Sequence, residues 1–406
     1  MSAATQVVQR AVLVDAVRTP LARRNGALSG WHPTDLLGVT LKALAERAGV
    51  DPAEIDDVIA GCVSQVNEQS TNIARNAVLA AGWPHTVPGT TVDRQCGSAQ
   101  QAVHFAAQAV MSGVYDVAVA AGVESMSVVP MFSNSGGDLD TAYGPMMTAR
   151  YADVETFGAH GLVQQGLSAE LVAERYGITR ARLDAFAAES HARAARARDQ
   201  GRFDREIVPV QARTRTEHGV EIGEELRVDT GIRDTSVEVL AGLKPVFREG
   251  GVVTAGNASQ ITDGAAAALI VSERYAEQRG LRPLAYLTGF ALAGCDPVEM
   301  LTAPIPATQK LLATTGLTVD DIDLFEINEA FAAVVLAWAD QVGVDLARVN
   351  VNGGAIAIGH PLGCTGVRVL ATLAHELERR GGRYGLQTIC EGGGMANALL
   401  IERPAA

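Results

Sequence analysis

The feature that most constrains this 406-residue chain is an internal repeat. Leu44-Ala-Glu-Arg-Ala-Gly49 through Ile55-Asp56 returns as Leu311-Leu-Ala-Thr-Thr-Gly316 through Ile322-Asp323, at a constant offset of 267 positions. In the first copy the apolar patterning reads as a strand over Ala11 to Val14, an amphipathic helix over Asp35 to Ala48 and a short strand over Val58 to Cys62. Further on, strand Gly89 to Val92, a loop, helix Ala99 to Met111 and strand Val117 to Ala121 correspond to Val349 to Val351, a Gly-rich loop, helix Gly366 to Arg379 and strand Leu386 to Cys390. Two βαβ-rich halves of this kind predict an α/β protein in stacked layers, with ligands gathering where the strand ends and loops of both halves meet. The loops before Ala99 and Gly366 are therefore expected to face one another.

The halves are expected over 1–124 with 257–282, and over 283–406, leaving 125–256 without a copy of the repeat, as an inserted lid or substrate domain. That insertion contains the Gly/Ser/Asn-rich Ser133 to Gly137 and an Arg-studded helix, Arg180 to Gln200. Arg193, Arg196 and Arg198 alternate with alanine and acidic residues, the pattern of a solvated helix face rather than of a phosphate site.

Composition removes several function classes. Acidic residues outnumber basic ones by 46 to 33, a formal charge of −13, and no basic stripe opposes that field, so no nucleic-acid partner is expected. Five cysteines at wide spacing, without a CxxC pair, argue against a disulfide framework and against zinc. Met1 to Pro20 lacks the basic and apolar regions of a leader, and no stretch reaches the ~18 apolar residues of a membrane span, so a cytoplasmic protein is expected.

Four positions have the framing that chemistry requires. Cys96, in Thr91-Val-Asp-Arg-Gln-Cys-Gly-Ser-Ala-Gln100, follows a β-branched strand at the expected start of a helix, where free N–H groups and the helix dipole favour a thiolate. A buried structural cysteine is the equal alternative there. His360 lies in Val351-Asn-Gly-Gly-Ala-Ile-Ala-Ile-Gly-His-Pro-Leu-Gly-Cys-Thr-Gly366, a glycine-rich loop that lacks the Lys and Ser/Thr of a phosphate loop. Cys390 ends an apolar strand and precedes Glu391-Gly-Gly-Gly394, whose glycines let backbone N–H groups turn toward a small ligand; it mirrors the region of Ala121. Asn328 follows strand Leu324 to Ile327 and is readable as a helix N-cap, or as a residue holding a water against a carbonyl oxygen. Cys364 is read as packing.

With these elements in order the chain resembles the thiolase family over almost its whole length, from Val14-Asp-Ala-Val-Arg-Thr-Pro20 to Cys390-Glu-Gly-Gly-Gly394. The blocks Cys96 with Ser98, Asn328-Glu-Ala-Phe331, Gly359-His-Pro-Leu-Gly363 and Cys390-x-Gly-Gly carry the resemblance. It implies the thiolase fold, duplicated βαβαβαββ halves in α-β-α-β-α layers with an inserted loop domain that binds coenzyme A. It implies an acyltransferase that cleaves 3-ketoacyl-CoA through an acyl-cysteine, with CoA thioesters as partners, no permanently bound cofactor and a homodimeric or homotetrameric assembly. Cys96 is then the acylated residue, His360 its base and Cys390 the acid/base at the acetyl α-carbon. Asn328, through a water, and His360 are the donors to the enolate oxygen, and the N–H groups of Cys96 and Gly392 those to the acyl oxygen. Lys244 and Ser259 match positions that contact the nucleotide and pantetheine of CoA.

Two departures from the family pattern stand out. Gln164-Gln165-Gly166 occupies the place where acetoacetyl-CoA-forming members carry a histidine, so a short-chain contact is expected to be lost and the degradative role is favoured over acetoacetyl-CoA formation. Ala99 replaces a customary glycine, a matter of packing. Asn67-Glu-Gln-Ser-Thr-Asn72 and Gly363-Cys-Thr-Gly366 resemble thiolases of actinobacterial lipid and steroid breakdown. A non-catalytic CoA- or lipid-binding member of the fold is the alternative of another class; it is expected to lack Cys96 or His360, and a decarboxylating condensing enzyme is expected to lack Cys390.

Overall fold

A computed structural model describes residues 9–137 and 139–405, so the first eight residues of the Met1 to Pro20 stretch lie outside the described residues. The strands that build the main sheet are β1 (Ala11–Arg18), β2 (Asp57–Gly61), β3 (Gly89–Val92), β4 (Val117–Ser125), β5 (Thr262–Ser272), β6 (Ala285–Gly294), β7 (Leu324–Ile327), β8 (Tyr384–Glu391) and β9 (Met395–Glu402). Their order is β7-β8-β9-β6-β1-β5-β4-β2-β3, with the two-residue strand Ala22–Arg23 paired to β5. Three residue pairs between β1 and β6 join the halves. Outward from that seam each half repeats two antiparallel pairings and then a parallel one, β1-β5-β4-β2 in the first and β6-β9-β8-β7 in the second.

The main helices are α1 (Pro33–Ala48), α2 (Ile73–Ala80), α3 (Ser98–Met111), α4 (Gln165–Arg175), α5 (Arg180–Asp199), α6 (Pro304–Thr315), α7 (Ala332–Val342) and α8 (Thr365–Arg380). The 267-residue offset sets the first residues of β2 and β7, of α3 and α8, and of β4 and β8. One counterpart fails: the strand expected at Val349 to Val351 shrinks to a single bridge between Val349 and Phe325. Asn350 turns there into the left-handed region at φ 45, and its side-chain amide bonds both the N–H and the C=O of Ile327 at 2.9 Å. The side chain thus does what a continuing strand would have done.

Alternate residues of β5 separate two cores. Ala266, Ala268 and Ile270 meet α3 and α8, while Ala265, Ala267, Leu269 and Val271 meet α1 and α2. A third core packs α6 and α7 on the far face of β8 and β9. The layers are therefore α-β-α-β-α with α3 and α8 in the middle, and α8 has 13 of its 16 residues buried, as a helix without a solvent face requires. At the starts of these two helices backbone meets backbone: a Cβ on Gly366 would fall 2.0 Å from Gln100 N, and one on Gly122 2.0 Å from Gly363 O. The two loops do face one another. The Ala99 methyl fits because Gly122 opposite has none.

In the insertion, α4 and α5 share the core of α7 through Ala169, Val172, Leu183 and Ala187. The hairpin Val210–Thr216/Gly219–Leu226 is tied to the first half, where Trp31 Nε1 donates to Gln211 O at 2.8 Å. Among the described residues no helix is long and apolar enough to cross a membrane.

Candidate active site

Cys96 lies in the turn between β3 and α3. Gln95 adopts φ 48, a conformation that costs a non-glycine residue about 1–2 kcal/mol, and the turn is closed by Ser98, whose Oγ accepts from Arg94 N at 2.9 Å and donates to Gln95 O at 2.6 Å. The helix itself begins at Ser98 with Gly97 as cap, so Cys96 sits just ahead of it. Its sulfur is buried, with the Gln165 amide and the Gly392 N–H near enough to favour its anion. Burial, and secondarily Glu391, push the thiol up to about 12. The expected helix-start thiolate is thus not the resting state: desolvation outweighs the N–H donors, and Cys96 rests as a thiol that requires a base.

Cys390 sits at the end of β8, 1% exposed, its thiol raised by burial and then by Cys96 and Glu391. Its partner in the first half, 267 positions earlier, is Val123 rather than Ala121. Gly393 and Gly394, both at φ 81, reverse the chain into β9 and leave Gly392 against Cys96. A Cβ on Gly392 would approach Gln95 Oε1 to 3.0 Å and Gln165 Nε2 to 3.4 Å, so a larger residue would crowd the side chains beside the sulfur.

His360 and Asn328 form the neighbouring group. Thr365 Oγ1 donates to Pro361 O at 2.9 Å and so accepts from His360 Nδ1–H at 2.6 Å. That leaves the lone pair on Nε2, which accepts from Asn328 Nδ2 at 3.3 Å. Burial first, and then Arg368, lower the imidazole to about 3, so it rests neutral with no proton on Nε2. Asn328 is not the helix cap: α7 begins at Ala332, with Phe331 in the cap position and no side-chain bond. Asn328 instead continues β7, its N–H bonded to Thr388 O at 3.1 Å, and its buried Oδ1 has no partner, which fits the reading in which it holds a water. Thr388 is two residues from Cys390, so the β7–β8 pairing links the two groups.

Ser259 is half-buried with its N–H on Ala330 O, and the neighbouring Gln260 O accepts from His360 N at 3.1 Å. Lys244 is exposed at the far end of the same strap, where Val246 N bonds Val253 O. Cys364 is fully buried at the start of α8. On α5, Arg196 and Arg198 pair with Glu189 and Asp199 at the surface; Arg193 departs from the expected solvated face, because it is 17% exposed and, besides Glu189, donates to Leu346 O and Val349 O, clamping the chain before the glycine loop. Ser133 to Gly137 is an exposed turn with local hydroxyl bonds.

Two carboxylates were not singled out in the sequence. Glu124 accepts from Val63 N, Ser64 N, Gln69 Nε2 and Gly363 N, and so braces the loop beyond His360. Glu329 accepts from Asn350, Ser190 and Ile356 N and braces the glycine loop before it. The signal for both was an acidic residue at or just beyond the end of an apolar strand.

Comparison with known proteins adds to this geometry. The family model for the thiolase N-terminal domain matches residues 11–274 and that for the C-terminal domain residues 281–403. The steroid 3-ketoacyl-CoA thiolase FadA6 of Mycobacterium tuberculosis is 49% identical, covering 98% of this chain and 95% of its own length. An acetyl-CoA acetyltransferase of Chromobacterium violaceum is 44% identical over 97% of this chain and 99% of its own. The crystal structure of the Bacillus anthracis acetyl-CoA acetyltransferase superposes with a TM-score of 0.87 at 39% identity, covering 98% of this chain and 100% of that one.

Proposed function

The chain belongs to the thiolase family and is an acyltransferase; from that premise we propose that it cleaves 3-ketoacyl-CoA with CoA, in the degradative direction, by a ping-pong reaction through Cys96. The observation that carries this reading is the convergence around one sulfur: the Gly392 turn, the Gln165 amide that a Cβ on Gly392 would approach to 3.4 Å, and Cys390 gather at Cys96.

Cys96 attacks the 3-keto carbonyl and its proton passes to the Nε2 lone pair of His360. The bond between C2 and C3 breaks, and Cys390 protonates the departing acetyl-CoA enolate. Nε2, now protonated, is a donor to the enolate oxygen, together with a water held by Asn328 Oδ1, while the N–H groups of Cys96 and Gly392 hold the acyl oxygen. In the second half CoA gives its thiol proton to the Cys390 thiolate and takes the acyl group, and Cys96 recovers its proton from His360. The proton count closes over the cycle.

Residues 125–256 serve as the lid in this reading, with the halves at 1–124 plus 257–282 and at 283–406. Lys244 at the rim meets the nucleotide of CoA and Ser259 beside His360 the pantetheine. CoA is a substrate, and no cofactor is held permanently. The same reading takes the protein to be cytoplasmic and a homodimer or homotetramer. The Mycobacterium tuberculosis relative, named a steroid thiolase, supports an acyl group larger than acetyl; the Chromobacterium violaceum relative supports acetoacetyl-CoA formation as the second reading.

A thiolysis series over chain length, followed through the magnesium enolate, tests the choice. Each buried CH₂ contributes about 0.8 kcal/mol, so kcat/KM is expected to rise by up to about fifteenfold per two carbons above acetoacetyl-CoA until the pocket is full. A tenfold preference for acetoacetyl-CoA would replace this reading with the short-chain one. Peptide mass analysis after incubation with acyl-CoA is expected to find the adduct on Cys96; an adduct on Cys390 or Cys364 would overturn the assignment.

A further inference from the structure

Glu391 stands beside both cysteines without a bonded partner. Its side chain is 0% exposed, neither carboxyl oxygen has a hydrogen bond, and it presses on Gly97 so closely that a Cβ there would fall 2.0 Å from Oε1. The groups around it come from three elements. The turn before α3 contributes Asp93, Arg94 and Cys96, and β8 contributes Cys390. From β9 comes the Asn397 amide, whose Nδ2 is already committed to Gly97 O at 3.1 Å. Position 124, one repeat earlier, also holds a buried glutamate, but that one accepts four N–H bonds. The second half has kept the carboxyl and dispensed with the donors.

We propose that Glu391 is a positioning residue for the reaction, standing as the neutral acid while Cys96 and Cys390 each give up and recover a proton, and suppressing Cys96 ionisation once it is charged itself. The proposal rests on the reading of Cys96 as the nucleophile. A carboxyl without donors has nothing to stabilise its anion except the Arg94 charge, and burial carries it up to about 8. An ionised Glu391 raises both thiols. Below about pH 8 the acid is neutral and leaves Cys96 unopposed; above it the anion works against a second negative charge nearby.

The test is the rate of iodoacetamide alkylation of Cys96, read by peptide mass from about pH 6 to about pH 10, in the wild type and in Glu391→Gln. Wild-type alkylation is expected to climb with pH, flatten near pH 8 and climb again. In Glu391→Gln the flattening is expected to vanish, so that the two proteins match at the acid end and the variant is about tenfold faster at the alkaline end, the effect of one pKa unit. A ratio independent of pH would mark Glu391 as merely structural and overturn the proposal. Should Glu391→Gln not fold, Arg94→Gln gives the second reading: without the neighbouring cation the flattening is expected at higher pH, and an unmoved flattening overturns the proposal as well. Alkylation requires no turnover, so a failed thiolase reading would appear separately, as wild-type protein that reacts with iodoacetamide and never forms an acyl-cysteine.

Discussion

The two halves of this molecule place the same residue at the same point and treat it in opposite ways. Glu124 and Glu391 lie 267 positions apart, near the ends of β4 and β8, and both are fully buried. Glu124 is held by three backbone N–H groups and the Gln69 amide, whereas Glu391 has none. One residue earlier, Val123 is a core side chain and Cys390 faces Cys96. The first half thus supplies the nucleophile's turn and spends its strand end on bracing, including the loop that follows His360. The second half opens its strand end into glycines and keeps it reactive. Duplication makes such a division possible, because the copy that braces relieves the other of that task.

The largest effect that would break this contrast is on Glu124. Removing its carboxylate strands four buried donors, each worth about 1–3 kcal/mol when left unsatisfied. Glu124→Ala is expected to lose at least about 3 kcal/mol in urea unfolding, and Glu391→Gln less than about 1 kcal/mol near neutral pH, where its carboxyl is uncharged. Equal losses in the two variants would show that Glu391 has a bracing role after all.

Next in size is Cys390→Ser, which puts a smaller hydroxyl in place of the thiol and removes its acidity. Acylation of Cys96 is expected to survive, while exchange of the acetyl α-protons, followed by loss of deuterium from labelled acetyl-CoA, is expected to fall by about 10²-fold or more, the usual effect of removing a general acid or base. Undiminished exchange would assign the proton to another group and dissolve the distinction between the two strand ends.

Much of this arrangement was legible in the residues, for identifiable reasons. The strands β4 and β8 are buried on both faces, and their apolar stretches at Val117 to Ala121 and Leu386 to Cys390 correspond through the repeat; β5, buried along its whole length, was not read as a strand. His360 and Cys390 stood out because glycine-rich backbone framed them, and Cys96 because it stood between a β-branched strand and the start of a helix. What could not be read depends on contacts across the fold. A cap at Asn328 was reasonable from local pattern, yet the chain stays extended to Phe331 because Asn328 N bonds Thr388 on the neighbouring strand and Ala332 N bonds Asn257 O. The thiolate expected at Cys96 fails because burial across the fold overrules the local N–H donors, and Glu391, nearly three hundred positions away, opposes it further once ionised. The missing strand at Val349 to Val351 was replaced by one asparagine side chain, a substitution that periodicity does not register.

The smallest effect concerns Gln165, which has no counterpart in the repeat. The residue is expected to mark a lost substrate contact; it lies at the first position of α4 with its amide near Cys96, joining the insertion to the first half's nucleophile. A neutral hydrogen bond of this kind contributes about 0.5–1.5 kcal/mol. It favours the thiolate, because the amide N–H serves the anion better than the thiol. Gln165→Ala is therefore expected to slow Cys96 alkylation and acylation by roughly twofold to tenfold, and to lower kcat more than it raises KM, since the bond is strongest when charge has developed on sulfur. If Gln165 mainly lines the acyl channel, the same variant will instead change KM in a way that depends on chain length and leave alkylation untouched. The contrast between the halves is sharpened only by the first outcome: it would show that a donor contributed from outside the repeat offsets part of the charge that Glu391, from within it, sets against Cys96.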